Sequence, residues 1–176
     1  ALPLAALTAQ CCISTAGMKS DQKVIVLGAS GGVGSLGVQM YKELGCEVHA
    51  VCSGKNEDFV KSLGADCVYD YTKGPWETQV ATKDLGTFDV IVDASPAGGQ
   101  HNWHAAVEGN VLKKGGHFCS LSGDTSEDVG LISGMKMVFK AIGRNMFSGF
   151  SFHHCMPFPS TERFNEISAL VESGNL

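Results

Sequence analysis

No basic block occurs anywhere in this sequence. Lys and Arg number 13 against 18 Asp and Glu, for a formal net charge of -5. A nucleic-acid partner would need a positive patch to displace counterions from a phosphate backbone. None is expected. Long apolar runs are missing too. The longest uncharged stretch, Ala1 to Met18, falls short of the roughly 20 apolar residues of a membrane helix and carries Thr8, Gln10, Ser14 and Thr15. It also lacks the basic start of a signal peptide.

Cysteine is present without the spacings that would make it structural. Cys11, Cys12, Cys46, Cys52, Cys67, Cys119 and Cys155 are odd in number and form neither a C-x-x-C pair nor a disulfide framework. Reduced thiols follow, and with them an intracellular compartment, cytoplasmic or mitochondrial. Cys46, Cys52, Cys67 and Cys119 lie in or beside apolar runs, where a free thiol acts as a small hydrophobe. His101, His104, His153 and His154 have no carboxylate or thiol at ligand spacing apart from adjacent Cys155, so no metal site is expected.

What the chain does have is 22 glycines and 44% hydrophobic residues within 176 positions, the composition and size of one globular domain. Apolar, β-rich runs recur at Lys23–Leu27, Glu47–Cys52, Cys67–Tyr69, Phe88–Val92, Gly116–Leu121 and Met146–Phe152. Between them, three- and four-residue periodicity predicts helices over 33–44, 59–63, 100–112, 129–142 and 161–171. Alternating strand and helix of this kind predicts α/β architecture, a doubly wound parallel sheet of about six strands with helices on both faces.

The first strand runs into Gly28-Ala29-Ser30-Gly31-Gly32-Val33-Gly34, where a helix opens. The dinucleotide fingerprint falls on Ala29, Gly31 and Gly34, with Gly28 and Gly32 as extra glycines. Such a turn lets the backbone approach a pyrophosphate on the helix N-terminus. An NAD site would carry a carboxylate about 20 residues on, at the end of the second strand. The sequence has Ser53-Gly54-Lys55 there. A hydroxyl and a cation suit the 2′-phosphate of NADP, which a carboxylate would repel. Gly28-Ala29-Ser30-Gly31-Gly32 also imitates the nucleophile elbow of a serine hydrolase, but the following Val33-Gly34 favours phosphate cradling.

With these motifs the sequence resembles the medium-chain dehydrogenase/reductase superfamily in its zinc-free quinone oxidoreductase, or zeta-crystallin-like, branch. It is most similar there to the reticulon-interacting mitochondrial oxidoreductases. The resemblance rests on 2–9, 26–34, 48–53, 63–66 and 70–71, and more loosely on 89–93, 114–116 and 170–174. It implies NADPH held by Ser30, Gly31, Gly32, Val33 and Gly34 at the pyrophosphate and by Ser53 and Lys55 at the 2′-phosphate. Tyr71 would lie near the adenine ribose, and Asp93, Ala94 and Leu121 would border the nicotinamide. Where relatives often read Asn-Val-Gly-Gly after the fourth-strand Asp, this chain reads Ala94-Ser95-Pro96-Ala97-Gly98-Gly99.

The implied activity is hydride transfer to a small acceptor, a quinone or an α,β-unsaturated carbonyl. Members of the superfamily carry a β-rich substrate half before the Leu-Pro segment and closing strands after the Gly174 region. The resemblance therefore implies that residues 1–176 are the cofactor domain of a longer two-domain enzyme, inactive alone. A homodimer through the 146–152 edge strand is implied as well. A non-catalytic NADPH-binding or interaction module stays open as the alternative, because fold does not fix function.

Overall fold

A computed structural model of the chain describes residues 2–81, 86–96, 99–121, 143, 149–156, 160–174 and 176. In chain order the elements are α1 (Leu2–Ala16), β1 (Lys23–Leu27), α2 (Gly32–Glu43), β2 (Glu47–Cys52), α3 (Glu57–Ser62), β3 (Cys67–Asp70), α4 (Trp76–Ala81), β4 (Phe88–Asp93), α5 (Gly99–Glu108), β5 (Leu112–Ser120), β6 (Ser151–His154) and α6 (Thr161–Glu172). Short 3-10 turns at Gly54–Asn56 and Tyr71–Lys73 follow β2 and β3.

All six strands are parallel, in the order β3-β2-β1-β4-β5-β6. The first three strands progress outward in one direction and the last three in the other, so the winding reverses between β1 and β4. A crevice opens at such a reversal, beyond the carboxyl ends of the two central strands. Both faces of the sheet are covered, which is why residues 24–27 of β1 and 90–92 of β4 at its centre are apolar without interruption. Val24, Val26, Val48, Val90 and Val92 point into one core with α1 and α2. Their alternates Ile25, Leu27, Val51 and Ile91 point into the other with α4 and α5.

Two helices were invisible to periodicity. The α1 segment is apolar nearly all round, so no face stands out, and its Ala6, Leu7, Ala9, Cys11 and Cys12 are buried. The fully buried Tyr41 of α2 donates its hydroxyl to the Ala9 carbonyl at 3.1 Å, tying the two helices together. The short α4 contributes Trp76 and Val80 to the opposite core. There Trp103 of α5 stands edge-on to Phe118 and Phe152, with centroids 5.5 and 5.1 Å away. Such pairs are worth about 0.5–1.5 kcal/mol beyond area burial, and they fix α5 against β5 and β6.

Several boundaries differ from expectation. The sixth strand is Ser151–His154 rather than 146–152, and residues 144–148 lie outside the described residues. Gly149 has φ +72, which turns the chain, and pairing then runs on through His153 and His154 opposite Cys119 and Ser120. Two histidines hid that continuation. The fifth strand begins earlier, at Leu112, with a register shift against β4 between Phe88 and Val90. The expected helix over 129–142 also lies outside the described residues.

Candidate functional site

The turn after β1 is shaped by two glycines. Gly28 has φ +74, and a Cβ there would lie 2.9 Å from the Ala94 carbonyl oxygen. The β1 and β4 exits therefore touch at the point where the winding reverses. Gly34 packs the first turn of α2 on that loop, since its Cβ would lie 2.3 Å from the Gly28 oxygen and 2.8 Å from Ala29 Cα. Gly28 is thus the left-handed turn residue, a role the fingerprint alignment had given to Ala29. Gly32 is different. A Cβ there would meet nothing within 4 Å, so its backbone is open.

That open backbone borders a cavity of about 760 Å³ at the carboxyl ends of β1, β2 and β4. Of the residues expected to hold a cofactor, Ser30, Gly31, Gly32, Val33, Tyr71 and Ala94 line it. No side chain caps the N-terminus of α2 and no acidic residue occupies its first turn. Amide hydrogens and the positive end of the helix dipole are thus directed at the cavity, the arrangement that receives an anion. Among the described residues the lining carries no carboxylate and no imidazole, and its one thiol is Cys52.

The other expected residues surround this cavity without lining it. Gly34 lies beneath the loop, as its contacts require. Ser53 is buried, and its hydroxyl accepts a hydrogen bond from Asn56 Nδ2 at 3.2 Å. The same Nδ2 donates to Ser30 Oγ at 3.0 Å. Asn56 therefore couples the glycine loop to the loop after β2, a role without any motif to reveal it. Lys55 is exposed on the 3-10 turn beside them. Leu121 is half-buried and packs against the core on the α1 side.

Asp93 stands behind the cavity wall. It is fully buried, and its carboxylate accepts from Ser95 N (3.1 Å), Ser95 Oγ (2.6 Å) and Asn102 Nδ2 (3.1 Å). Burial raises its pKa above the ordinary carboxylate value, against the opposing effect of the Ser95 and Asn102 bonds. Asn102 Oδ1 in turn accepts from Trp76 Nε1 at 3.2 Å. Ser95, Asn102 and Trp76 line the cavity. Asp93 positions them. Asn102 and Trp76 lie on helices far along the chain from the glycine turn, so spacing arguments could not find them.

A carboxylate does approach the loop after β2, but from β3. Asp70 is held by Thr72 Oγ1 (2.7 Å) and Thr72 N (3.0 Å), and these bonds lower its pKa with help from the Gly54 amide. A Cβ at Gly54 would press on the Asp70 carboxylate, so a larger residue there would have to displace that side chain from its bonds with Thr72. Asp70 props the loop from beneath and does not line the cavity.

Residues 32–166 match the zinc-binding dehydrogenase family. The chain belongs to that family, within the medium-chain dehydrogenase/reductase superfamily. It is 33% identical over 189 residues to the mitochondrial NAD(P)H oxidoreductase RTN4IP1 of Danio rerio, covering 99% of this chain and 47% of that protein. It is 40% identical over 126 residues to the 2-methylene-furan-3-one reductase of Solanum lycopersicum, covering 70% of this chain and 29% of that protein. The thermostable alcohol dehydrogenase of Pyrobaculum aerophilum, solved with cobalt and zinc bound, superposes with a TM-score of 0.73 at 28% identity. That match covers 99% of this chain and 46% of the other. The chain spans about half the length of the curated relatives it matches. The fold is Rossmann-like, and the relatives that cover 99% of this chain are named NAD(P)H oxidoreductases.

Proposed function

We propose that this domain binds NADPH across the carboxyl ends of β1, β2 and β4, as the cofactor half of a longer two-domain oxidoreductase. The observation that carries the reading is the pair Gly34 and Gly32. One glycine is locked by contact with the Gly28 loop and the other is open to the cavity at an uncapped helix N-terminus. A cradle of this form accepts a pyrophosphate and tolerates no side chain where the phosphate approaches. Gly31, Gly32 and Val33 would hold the pyrophosphate through backbone amides, with Ser30 beside them. Ser53 and Lys55 would take the 2′-phosphate, and Tyr71, 57% exposed at the cavity edge, would cover the adenine ribose. Asn56 holds Ser30 and Ser53 at a common spacing and is a positioning residue.

The cofactor, when bound, supplies the hydride. The domain's own part is to orient it and keep water from its reactive face. Ala94 and the Ser95–Asn102–Trp76 wall, braced by Asp93, would border the nicotinamide side, with Leu121 supporting the end of β5 from below. The acceptor is inferred to be a quinone or an α,β-unsaturated carbonyl. The 2-methylene-furan-3-one reductase among the relatives supports the second of these. Reduction is inferred to proceed without a metal at this cavity, whose lining among the described residues offers one thiol and no imidazole or carboxylate. Two chains are inferred to pair along β6, which ends the sheet.

The test is calorimetric titration of the chain with NADPH and with NADH. NADPH should bind more tightly, and Lys55→Glu should shrink the difference while leaving NADH affinity unchanged. Equal affinities in the unmodified chain would refute the 2′-phosphate assignment. Absence of binding to either would refute the cradle.

A further inference from the structure

Three cysteines far apart in sequence converge on one point in the core. Cys12 comes from α1, Cys119 from near the end of β5, and Cys155 from the residue following β6. Their sulfurs all lie within 4.8 Å of one another, and the residues are 0%, 0% and 5% exposed. The backbone explains the convergence. The Cys155 amide donates to the Ser120 carbonyl at 3.0 Å, carrying the β5–β6 ladder one residue past His154. Cys12 faces them from the buried side of α1, its thiol directed to the Thr8 carbonyl at 3.5 Å.

A single buried thiol is ordinary core packing, and Cys46 fits that description. Three sulfurs around a common centre are a ligand set. With metal–sulfur bonds of about 2.3 Å, a trigonal site needs sulfurs about 4 Å apart, within the separation found here. Among the described residues no imidazole or carboxylate joins the group. The neighbouring hydroxyl of Tyr41 is committed to the Ala9 carbonyl.

We propose that Cys12, Cys119 and Cys155 form a three-coordinate site for a soft, thiophilic metal ion, Cu(I). Thiolate sulfur selects Cu(I), zinc or iron–sulfur clusters, and structural zinc is almost always four-coordinate. Coordination number separates the two ions, because among the described residues the group offers three ligands and no fourth. All three cysteines ligate as thiolates, so binding of Cu(I) releases their thiol protons to solvent and replaces weak S–H donors in the core by metal–sulfur bonds. This site stands apart from the cofactor cavity, whose lining includes none of the three cysteines.

The experiment uses the reduced chain under anaerobic conditions, titrated with Cu(I) held by the chromogenic chelator bicinchoninate. The wild-type chain should withdraw one equivalent, and X-ray absorption should show a shell of three sulfurs. Losing even an outer-shell partner weakens metal sites about 10–100-fold, so Cys12→Ala, Cys119→Ala or Cys155→Ser should weaken binding by at least about 100-fold. Cys46→Ala should leave it unchanged. Thermal unfolding guards against misfolded variants: Cu(I) should raise the midpoint of wild type and Cys46→Ala but not of Cys155→Ser. Three results would each overturn the proposal: no withdrawal by wild type, retention of the tight equivalent after loss of any of the three thiols, or displacement of Cu(I) by equimolar zinc.

Discussion

Gly34 and Gly32 are two residues apart and should respond to the same substitution in opposite ways. In Gly34→Ala the new methyl would stand 2.3 Å from the Gly28 carbonyl oxygen and 2.8 Å from Ala29 Cα. Both are backbone atoms, so no flexible side chain can yield, and the loop must retreat by about 1 Å to reach ordinary carbon contact. Gly28 is itself pressed against Ala94 and Ser95, with its own Cβ position only 2.9–3.0 Å from them. The displacement therefore passes to the end of β4. Overpacking of this kind costs about 1–3 kcal/mol, and a clash between backbone segments belongs at the upper end. With urea m-values of about 1–3 kcal/mol per M, the unfolding midpoint should fall by about 1 M or more.

Gly32→Ala should do the reverse. Nothing lies within 4 Å of the added methyl, and the residue is the first of α2, where alanine is favoured over glycine by up to about 1 kcal/mol. Stability should hold or rise slightly. NADPH binding should be lost, because the methyl fills the opening through which the phosphate meets the helix N-terminus. Urea unfolding followed by fluorescence of the buried Trp76 and Trp103 gives the first quantity, and calorimetric titration the second. A Gly34→Ala chain within about 0.5 kcal/mol of wild type, the range of an ordinary surface change, would refute the packing argument. Unaltered NADPH affinity in Gly32→Ala would refute the cradle.

Asn102→Leu removes a donor to Asp93 and strands the Trp76 indole N–H, so it should cost about 1–3 kcal/mol, measurable by the same urea series. Asp93 supplies a pH test. Its folded pKa is raised, so its contribution to stability is present below the ordinary carboxylate value near pH 4 and is lost as pH rises through the raised value. Unfolding free energies across that window should slope downward in wild type and flatten in Asp93→Asn; parallel slopes would show that another group titrates. Sedimentation of the chain should give a dimer mass if β6 pairs with its counterpart, and a monomer mass would refute that assembly.

Much of the fold is carried by local pattern. Val24 to Leu27, the periodic face of α2 and the glycine turn between them each express a short-range preference, and repeated alternation of strand and helix leaves a parallel, doubly wound sheet as the consistent arrangement. Of the six expected site residues that line the cavity, Ser30, Gly31, Gly32 and Val33 do so for the same reason, since a fingerprint is a local backbone requirement, whereas Tyr71 and Ala94 were implied by the family resemblance. What local pattern could not carry were features made by approach of distant segments. A helix apolar nearly all round has no polar face to give it a period, so α1 was silent. The strand through His153 and His154 gains its pairing only from β5. Asp93 points into a wall made by Ser95 and Asn102, Asn56 joins two loops, and Cys12, Cys119 and Cys155 meet from three elements. Sequence by itself determined which backbone shapes were affordable along the chain. Only tertiary structure decided which side chains stand opposite one another, because hydrogen bonds and metal ligation depend on distances in space that no spacing along the chain encodes.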